Sequence, residues 1–216
     1  MLQGLAEAGI DTSDPFECLL AIRRIGAKRL EELFGPGKPD DKHIRGREPV
    51  VRATTVAGLE ARGREIVAGL GETEQQRLRS AGLVACVACT DVHEYGKLLL
   101  EGVLRGAGVE VVDAGVSVDP DAVARRALEA SANLIAISTY NGVALSYLRE
   151  LRAEMDRLGL DLPVFVGGKL NQMPENDPAS LPVNVSKELR EMGAIPCSAI
   201  GQMLSALVEM AGAATA

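Results

Sequence analysis

Aromatic residues are almost missing from this 216-residue chain, which has no Trp, three Tyr and three Phe. Proteins that bind single strands stack bases on several such rings, so that class of function is not expected. Basic residues are also in the minority. The 23 Lys and Arg face 30 Asp and Glu, and the net charge is −7. That sign repels a phosphate backbone, so no nucleic-acid partner is expected. No run of eighteen apolar residues occurs, and no membrane partner is expected. The start, Met1-Leu2-Gln3-Gly4-Leu5-Ala6-Glu7, lacks a basic stretch ahead of a long apolar core. A secretory signal is therefore not expected, and the chain reads as cytoplasmic.

Cysteine and histidine are scarce too. The four Cys do not make a spaced disulfide framework. Cys86 and Cys89 form one C-x-x-C at the end of an apolar run, with no second ligand pair and no flanking positive charge. They read as small buried hydrophobes, not as a redox or zinc motif. Only two His are present, His43 and His93.

The first eighty residues read as a mainly helical N-terminal extension, domain 1–80. Ser13-Asp14-Pro15 is a helix start, a capping side chain followed by Pro at the first helical position. Phe16, Leu19, Leu20, Ile25, Leu30 and Leu33 follow at near-helical spacing, and Gly35 offers a stop. Residues 35–42 read as a solvated linker, with His43 a loop residue beyond it. Arg45-Gly46-Arg47-Glu48-Pro49 reads as a basic surface cluster, with a grip for a substrate's phosphate tail or for an acidic partner surface as the alternatives. A second helix is expected over Thr55–Ser80, weakened by Gly58, Gly63, Gly69 and Gly71. The extension suits a partner-docking region, and plain packing helices fit as well.

From Gly82 the texture changes. Apolar runs Leu83–Ala88, Val109–Val112, Leu134–Ser138, Val164–Val166 and a weak Ile195–Cys197 alternate with amphipathic stretches. The helices expected between and after them are Tyr95–Gly106, Pro120–Ser131, Leu145–Leu158, Ser186–Met192 and Ile200–Met210. Near-continuous apolar strands alternating with helices indicate a parallel sheet covered on both faces. Domain 81–216 is expected to be an α/β, flavodoxin-like, doubly wound five-stranded parallel sheet of order 2-1-3-4-5. Its ligand site then lies outside the carboxyl ends of the strands, at the switch point between the first and third.

Three sequence features fall at that edge. Asp91-Val92-His93-Glu94-Tyr95-Gly96, a D-x-H-x-x-G, follows the first run. Forty-one residues, 97 to 137, precede Ser138-Thr139-Tyr140 at the end of the third. Twenty-six more, 141 to 166, precede Gly167-Gly168 at the end of the fourth. This pattern resembles the cobalamin (vitamin B12)-binding domain of adenosylcobalamin-dependent mutases and corrinoid methyl-transfer proteins, whose motifs read D-x-H-x-x-G, S-x-L and G-G.

The resemblance implies that His93 is the cobalt ligand, with Asp91 accepting the hydrogen bond of its other ring nitrogen. It implies cofactor contacts for Thr90, Asp91, Val92, Glu94 and Tyr95 in the same loop, and for Gly96, where backbone approaches the corrin. Ser138, Thr139 and Tyr140 are expected to line a slot for the displaced dimethylbenzimidazole tail. Tyr140 stands where the family usually has Leu. Gly167 and Gly168 would let the nucleotide tail lie against backbone, with Lys169 a further contact. For Lys97, a contact with a propionamide or phosphate and a solvated helix lysine are both open.

The segments Ser138-Thr139-Tyr140-Asn141-Gly142 and Val166-Gly167-Gly168-Lys169 resemble those of the small subunit of glutamate mutase and its relatives. The resemblance thus implies a cobalamin-binding subunit of an adenosylcobalamin-dependent mutase, an isomerase component acting in a hetero-oligomer. A large catalytic subunit, expected to be a TIM barrel, would hold the substrate, so no catalytic residue is nominated on this chain. Adenosylcobalamin is favoured over methylcobalamin. The alternative is a corrinoid methyl carrier, for which His93-Glu94-Tyr95-Gly96-Lys97 supplies the H-x-x-G-K ending common in that group. A regulator would need a DNA-binding module, for which no helix-turn-helix signal is present. No lysine is singled out for pyridoxal phosphate.

Overall fold

Short apolar runs leave their backbone groups unpaired unless they join a ladder. Here five of them do. A computed structural model of the protein describes residues 53–174 and 181–213. The described residues fall within one compact unit, Ala53–Ala216. Expectations for Ser13–Phe34, the linker at 35–42, His43 and Arg45–Pro49 lie outside the described residues.

Helices α1 (Ala53–Ala68) and α2 (Glu72–Ser80) come first. Then follow β1 (Val84–Cys89), α3 (Tyr95–Gly106), β2 (Glu110–Val116), α4 (Pro120–Glu129), β3 (Leu134–Thr139), α5 (Ala144–Leu158) and β4 (Val164–Gly168). A small ribbon, β5 (Asn171–Gln172) and β6 (Val183–Asn184), precedes α6 (Ser186–Glu191), β7 (Ala194–Cys197) and α7 (Ile200–Ala213). The main sheet is parallel throughout, in the order β2-β1-β3-β4-β7. With β7 as the fifth core strand, this is the doubly wound order 2-1-3-4-5.

Period-two alternation splits the strand side chains between two cores. Ala85, Val87, Ala136 and Phe165 face one layer, with Leu100, Leu104, Met203 and Leu207 of α3 and α7. Cys86, Ala88, Ile135, Ile137, Val164 and Val166 face the other, with Val123, Leu148 and Met155 of α4 and α5. Val67 of α1 and Leu78 of α2 are buried in the first core. The two helices ahead of residue 81 therefore share their hydrophobic contacts with the sheet.

Three local differences from the expected elements have physical causes. The helix expected over Thr55–Ser80 is two helices, broken at Gly69–Gly71, where the Gly71 N–H donates to Glu74 Oε2 at 2.8 Å. Strand β2 runs past the expected Val112 to Val116. It is an edge strand whose mixed exposure hides it from a search for continuous apolar runs. The β5–β6 ribbon is antiparallel and only two residues long on each side, too short for any periodic signal.

Cys86 and Cys89 are free and buried. Three positions apart on one strand, they point to opposite faces. Burial pushes the Cys86 thiol up to about 11. Among the described residues, no helix is long and apolar enough to cross a membrane.

Candidate functional site

The carboxyl ends of β1 and β3 are neighbours in the sheet, with Cys89 opposite Ser138. The loops leaving them meet around one carboxylate. Asp91, 7% exposed, is an acceptor for both loops. Its Oδ1 takes the His93 backbone N–H at 2.9 Å and the His93 Nδ1 at 2.8 Å. Its Oδ2 takes the Tyr140 N–H at 2.9 Å, the Asn141 N–H at 3.2 Å and the Thr90 hydroxyl at 3.2 Å. Burial opposes ionisation of Asp91. The bonds from the His93 backbone and ring, then from Tyr140 and Asn141, outweigh it and hold the carboxyl below its usual range. The stability these bonds give is present above the ordinary value of 3.8 and is lost as pH falls through the lowered one.

An ionised Asp91 can only accept, so Nδ1 of His93 carries the proton. In the neutral imidazole this leaves the lone pair on Nε2. The His93 side chain is 46% exposed, and the hydrogen bonds of its ring among the described residues are made at Nδ1. The dyad is a carboxylate–imidazole pair of the kind that orients a metal-ligating histidine.

Beside the dyad, a cavity of about 210 Å³ opens between the sheet and helices α3 and α7. Gly96, Leu99, Leu100, Ala136, Ile137, Ser138, Phe165, Gly167, Gly168, Cys197, Ser198, Ala199, Ile200 and Met203 line it. Its origin lies in side-chain size along the strands. On β3 the cavity-facing residues shrink from Leu134 to Ala136 and Ser138, and on β4 from Phe165 to Gly167. Register pairs Ala136 with Phe165 and Ser138 with Gly167, so the small residues share the carboxyl end and the slot widens toward it.

Two glycines are required here. A Cβ on Gly96 would stand 2.8 Å from Ser138 Oγ. Gly168 has φ +97°, and a Cβ there would meet the Thr139 carbonyl oxygen at 2.3 Å. That close approach lets the Lys169 N–H reach the same carbonyl at 2.8 Å.

The residues nominated from the sequence sort into three places. Gly96, Ser138, Gly167 and Gly168 line the cavity. Asp91, His93, Thr90 and Tyr140 form the hydrogen-bonded and ring-stacked rim. Val92 (72% exposed), Tyr95 (49%) and Tyr140 (51%) give that rim an exposed apolar surface. Glu94 is half-buried and Lys169 is exposed beside them. Thr139 is different. Its position in the alternation puts its side chain on the α4–α5 face with Ile135 and Ile137, and its buried Oγ1 has no hydrogen-bond partner.

Lys97 departs from both readings of the sequence, being neither solvated nor free for a ligand. It is 3% exposed, and its ammonium is paired with Glu101 and Asp113. Burial opposes the charge, but Asp113 and Glu101 outweigh it and raise Lys97 above its ordinary 10.5. Lys97→Met is expected to destabilise the fold by about 2–4 kcal/mol, because Glu101 is left buried with only Arg105 as partner. Thermal unfolding measures this. The Lys97 contribution is complete below the ordinary lysine value and is lost as pH rises through the raised one.

Sequence reasoning missed the floor and far wall of the slot, Phe165 and Cys197–Met203. The one available signal was the small-residue stretch Cys197-Ser198-Ala199 directly after an apolar strand.

Residues 81–179 match the family model described as the B12 binding domain. This segment is a B12-binding domain. Over 91 residues, the chain is 31% identical to the ethylmalonyl-CoA mutase of Cereibacter sphaeroides. The match covers 42% of this chain and only 14% of that mutase, so the chain spans a small part of its relative's length. Among solved structures, the chain is similar to a cobalamin-binding protein from Desulfitobacterium hafniense DCB-2. That likeness has a TM-score of 0.49 at 21% identity, covering 95% of this chain and 96% of that one. It is also similar to the monomethylamine corrinoid protein of Methanosarcina barkeri. There the TM-score is 0.48 at 19% identity, covering 64% of this chain and 62% of that one.

Proposed function

We propose that this chain is the cobalamin-binding subunit of an adenosylcobalamin-dependent mutase. In this reading it holds the cofactor with its own base displaced and with His93 Nε2 as the lower ligand of cobalt. The observation that carries the reading is an imidazole whose Nδ1 is tied to a buried carboxylate and whose Nε2 is open, at the mouth of an apolar slot.

The residues present fit the cofactor. A neutral imidazole is a good ligand for cobalt, and Asp91 strengthens it by holding the Nδ1 proton. Ser138 offers a hydroxyl at the slot's open end for the freed benzimidazole nitrogen. Leu99, Leu100, Ala136, Phe165 and Met203 offer apolar surface for its ring. Burying that ring and satisfying its nitrogen offset the loss of the cofactor's own cobalt–base bond. Val92, Tyr95 and Tyr140 give the corrin an apolar bed that excludes water.

When bound, adenosylcobalamin supplies a carbon-centred radical. The substrate would sit in a separate large subunit, expected to be a TIM barrel, so the assembly would be a cytoplasmic hetero-oligomer. Ser13–Phe34 and Arg45–Pro49 are the region we assign to docking it. Similarity to ethylmalonyl-CoA mutase supports the mutase reading over other uses of the same domain. The second reading, a corrinoid methyl carrier, is favoured by one observation, the H-x-x-G-K ending at Lys97.

Isotope transfer separates the two. The chain is loaded with adenosylcobalamin tritiated at the 5′ carbon and added to an extract of its source cells. A mutase component passes tritium to a small-molecule substrate. Loading with ¹⁴C-methylcobalamin, and transfer of that label alone to an acceptor, would replace the mutase reading with the carrier.

A further inference from the structure

We infer that Tyr140 is a positioning residue for the histidine ligand, its ring fixing the plane of the His93 imidazole. The inference rests on the cobalamin reading above, at a position where this chain departs from the leucine of the resembling family.

Tyr140 touches both members of the dyad. Its backbone N–H donates to Asp91 Oδ2 at 2.9 Å. Its ring lies against His93, with centroids 4.5 Å apart and planes tilted by 31°. These two contacts and the Asp91–His93 bond close a cycle that ties the loop after β3 to the loop after β1. Only one edge of the imidazole is held by Asp91. Contact of a flat ring with its face constrains the remaining freedom, which is the tilt that aims Nε2.

The β3 loop is itself held firmly enough to act as a brace. The Met173 N–H donates to the Gly142 carbonyl at 2.8 Å. Gln172 Oε1 accepts the N–H groups of Leu145 and Ser146, both at 3.0 Å, at the start of α5. The Tyr140 side chain is half exposed, so no core contact accounts for its place. Leucine at this position would leave the Asp91 bond intact, since that bond comes from backbone, and would remove only the flat contact. Tyr140 thus separates ring orientation from dyad formation.

The test uses the full chain with Tyr140→Leu and Tyr140→Phe. In the cofactor-free protein, proton NMR reads the His93 ring resonances, which the Tyr140 ring current displaces relative to those of a free imidazole. With cob(II)alamin at one pH, electron paramagnetic resonance reads the ratio of histidine-bound to unbound cobalt. Leucine is expected to abolish the displacement and lower the ratio roughly tenfold, as loss of an oriented aromatic contact would. Phenylalanine is expected to restore both, with thermal midpoints unchanged. A leucine variant with the wild-type ratio would overturn the inference. A wild-type protein with no histidine on cobalt would instead overturn the ligand reading on which it rests.

Discussion

Replacing His93 with Ala is expected to remove the histidine nitrogen from cobalt and to weaken cobalamin binding by at least roughly 100-fold. Loss of a partner that merely supports a metal ligand already costs about 10- to 100-fold, so loss of the ligand itself sits at or beyond that limit. The fold should barely notice. His93 is half exposed, and Asp91 keeps its bonds from Tyr140, Asn141 and Thr90. A stability change within about 1 kcal/mol is expected in a thermal melt. Asp91→Ala is a less clean variant, because it strips the acceptor from the N–H groups of two loops. Titration of cobalamin into the His93→Ala protein, followed by absorbance, checks the prediction. Wild-type affinity would remove His93 from the site.

The second large effect is expected from Gly167→Leu. Gly167 lines the slot and shares its strand face with Phe165, and a Cβ there meets only the Cys197 carbonyl oxygen, at an ordinary 3.5 Å. The added side chain therefore enters the cavity without forcing the backbone. Leucine would occupy much of a space of about 210 Å³ and exclude the cofactor's aromatic tail. Cobalamin should then lose about two orders of magnitude in affinity, a loss equivalent to the burial of one apolar ring. Cobinamide, which has the corrin but no nucleotide tail, should bind the variant as it binds the wild type. Equal loss for both ligands would mean that the slot does not receive the tail. Gly168 is unsuitable for this comparison, since its positive φ and its approach to Thr139 make any side chain a backbone problem.

These two variants probe parts of the site that differ in how readable they were. The dyad was legible because its members are two residues apart and the motif carries its own geometry. The parallel sheet was legible because three core strands, β1, β3 and β4, are near-continuous apolar runs, as buried parallel strands are. The slot was half legible. Gly167 and Ser138 marked its mouth, but its size depends on Phe165 lying opposite Ala136 and on Ile200 and Met203 of α7 closing the far side. Those contacts are long-range and have no local signature.

Lys97 makes the same point. Its partner Glu101 lies four residues on, at helical spacing, yet neither reading of the sequence paired the two. Asp113, on the following strand, adds an exposed carboxylate to that buried pair, and nothing near Lys97 in sequence announces it. Tyr140 was noted as a departure from the motif, whereas its contact with His93 emerges only when the β1 and β3 loops are brought together.

The most direct test of the ligand assignment is electron paramagnetic resonance of the protein holding cob(II)alamin, prepared once with ordinary and once with ¹⁵N-labelled histidine. Nitrogen splitting is expected to change from triplets to doublets on labelling, and His93→Ala is expected to abolish the change. Triplets that persist in the labelled protein would mean that the cofactor's own base is still on cobalt, and would contradict the ligand assignment.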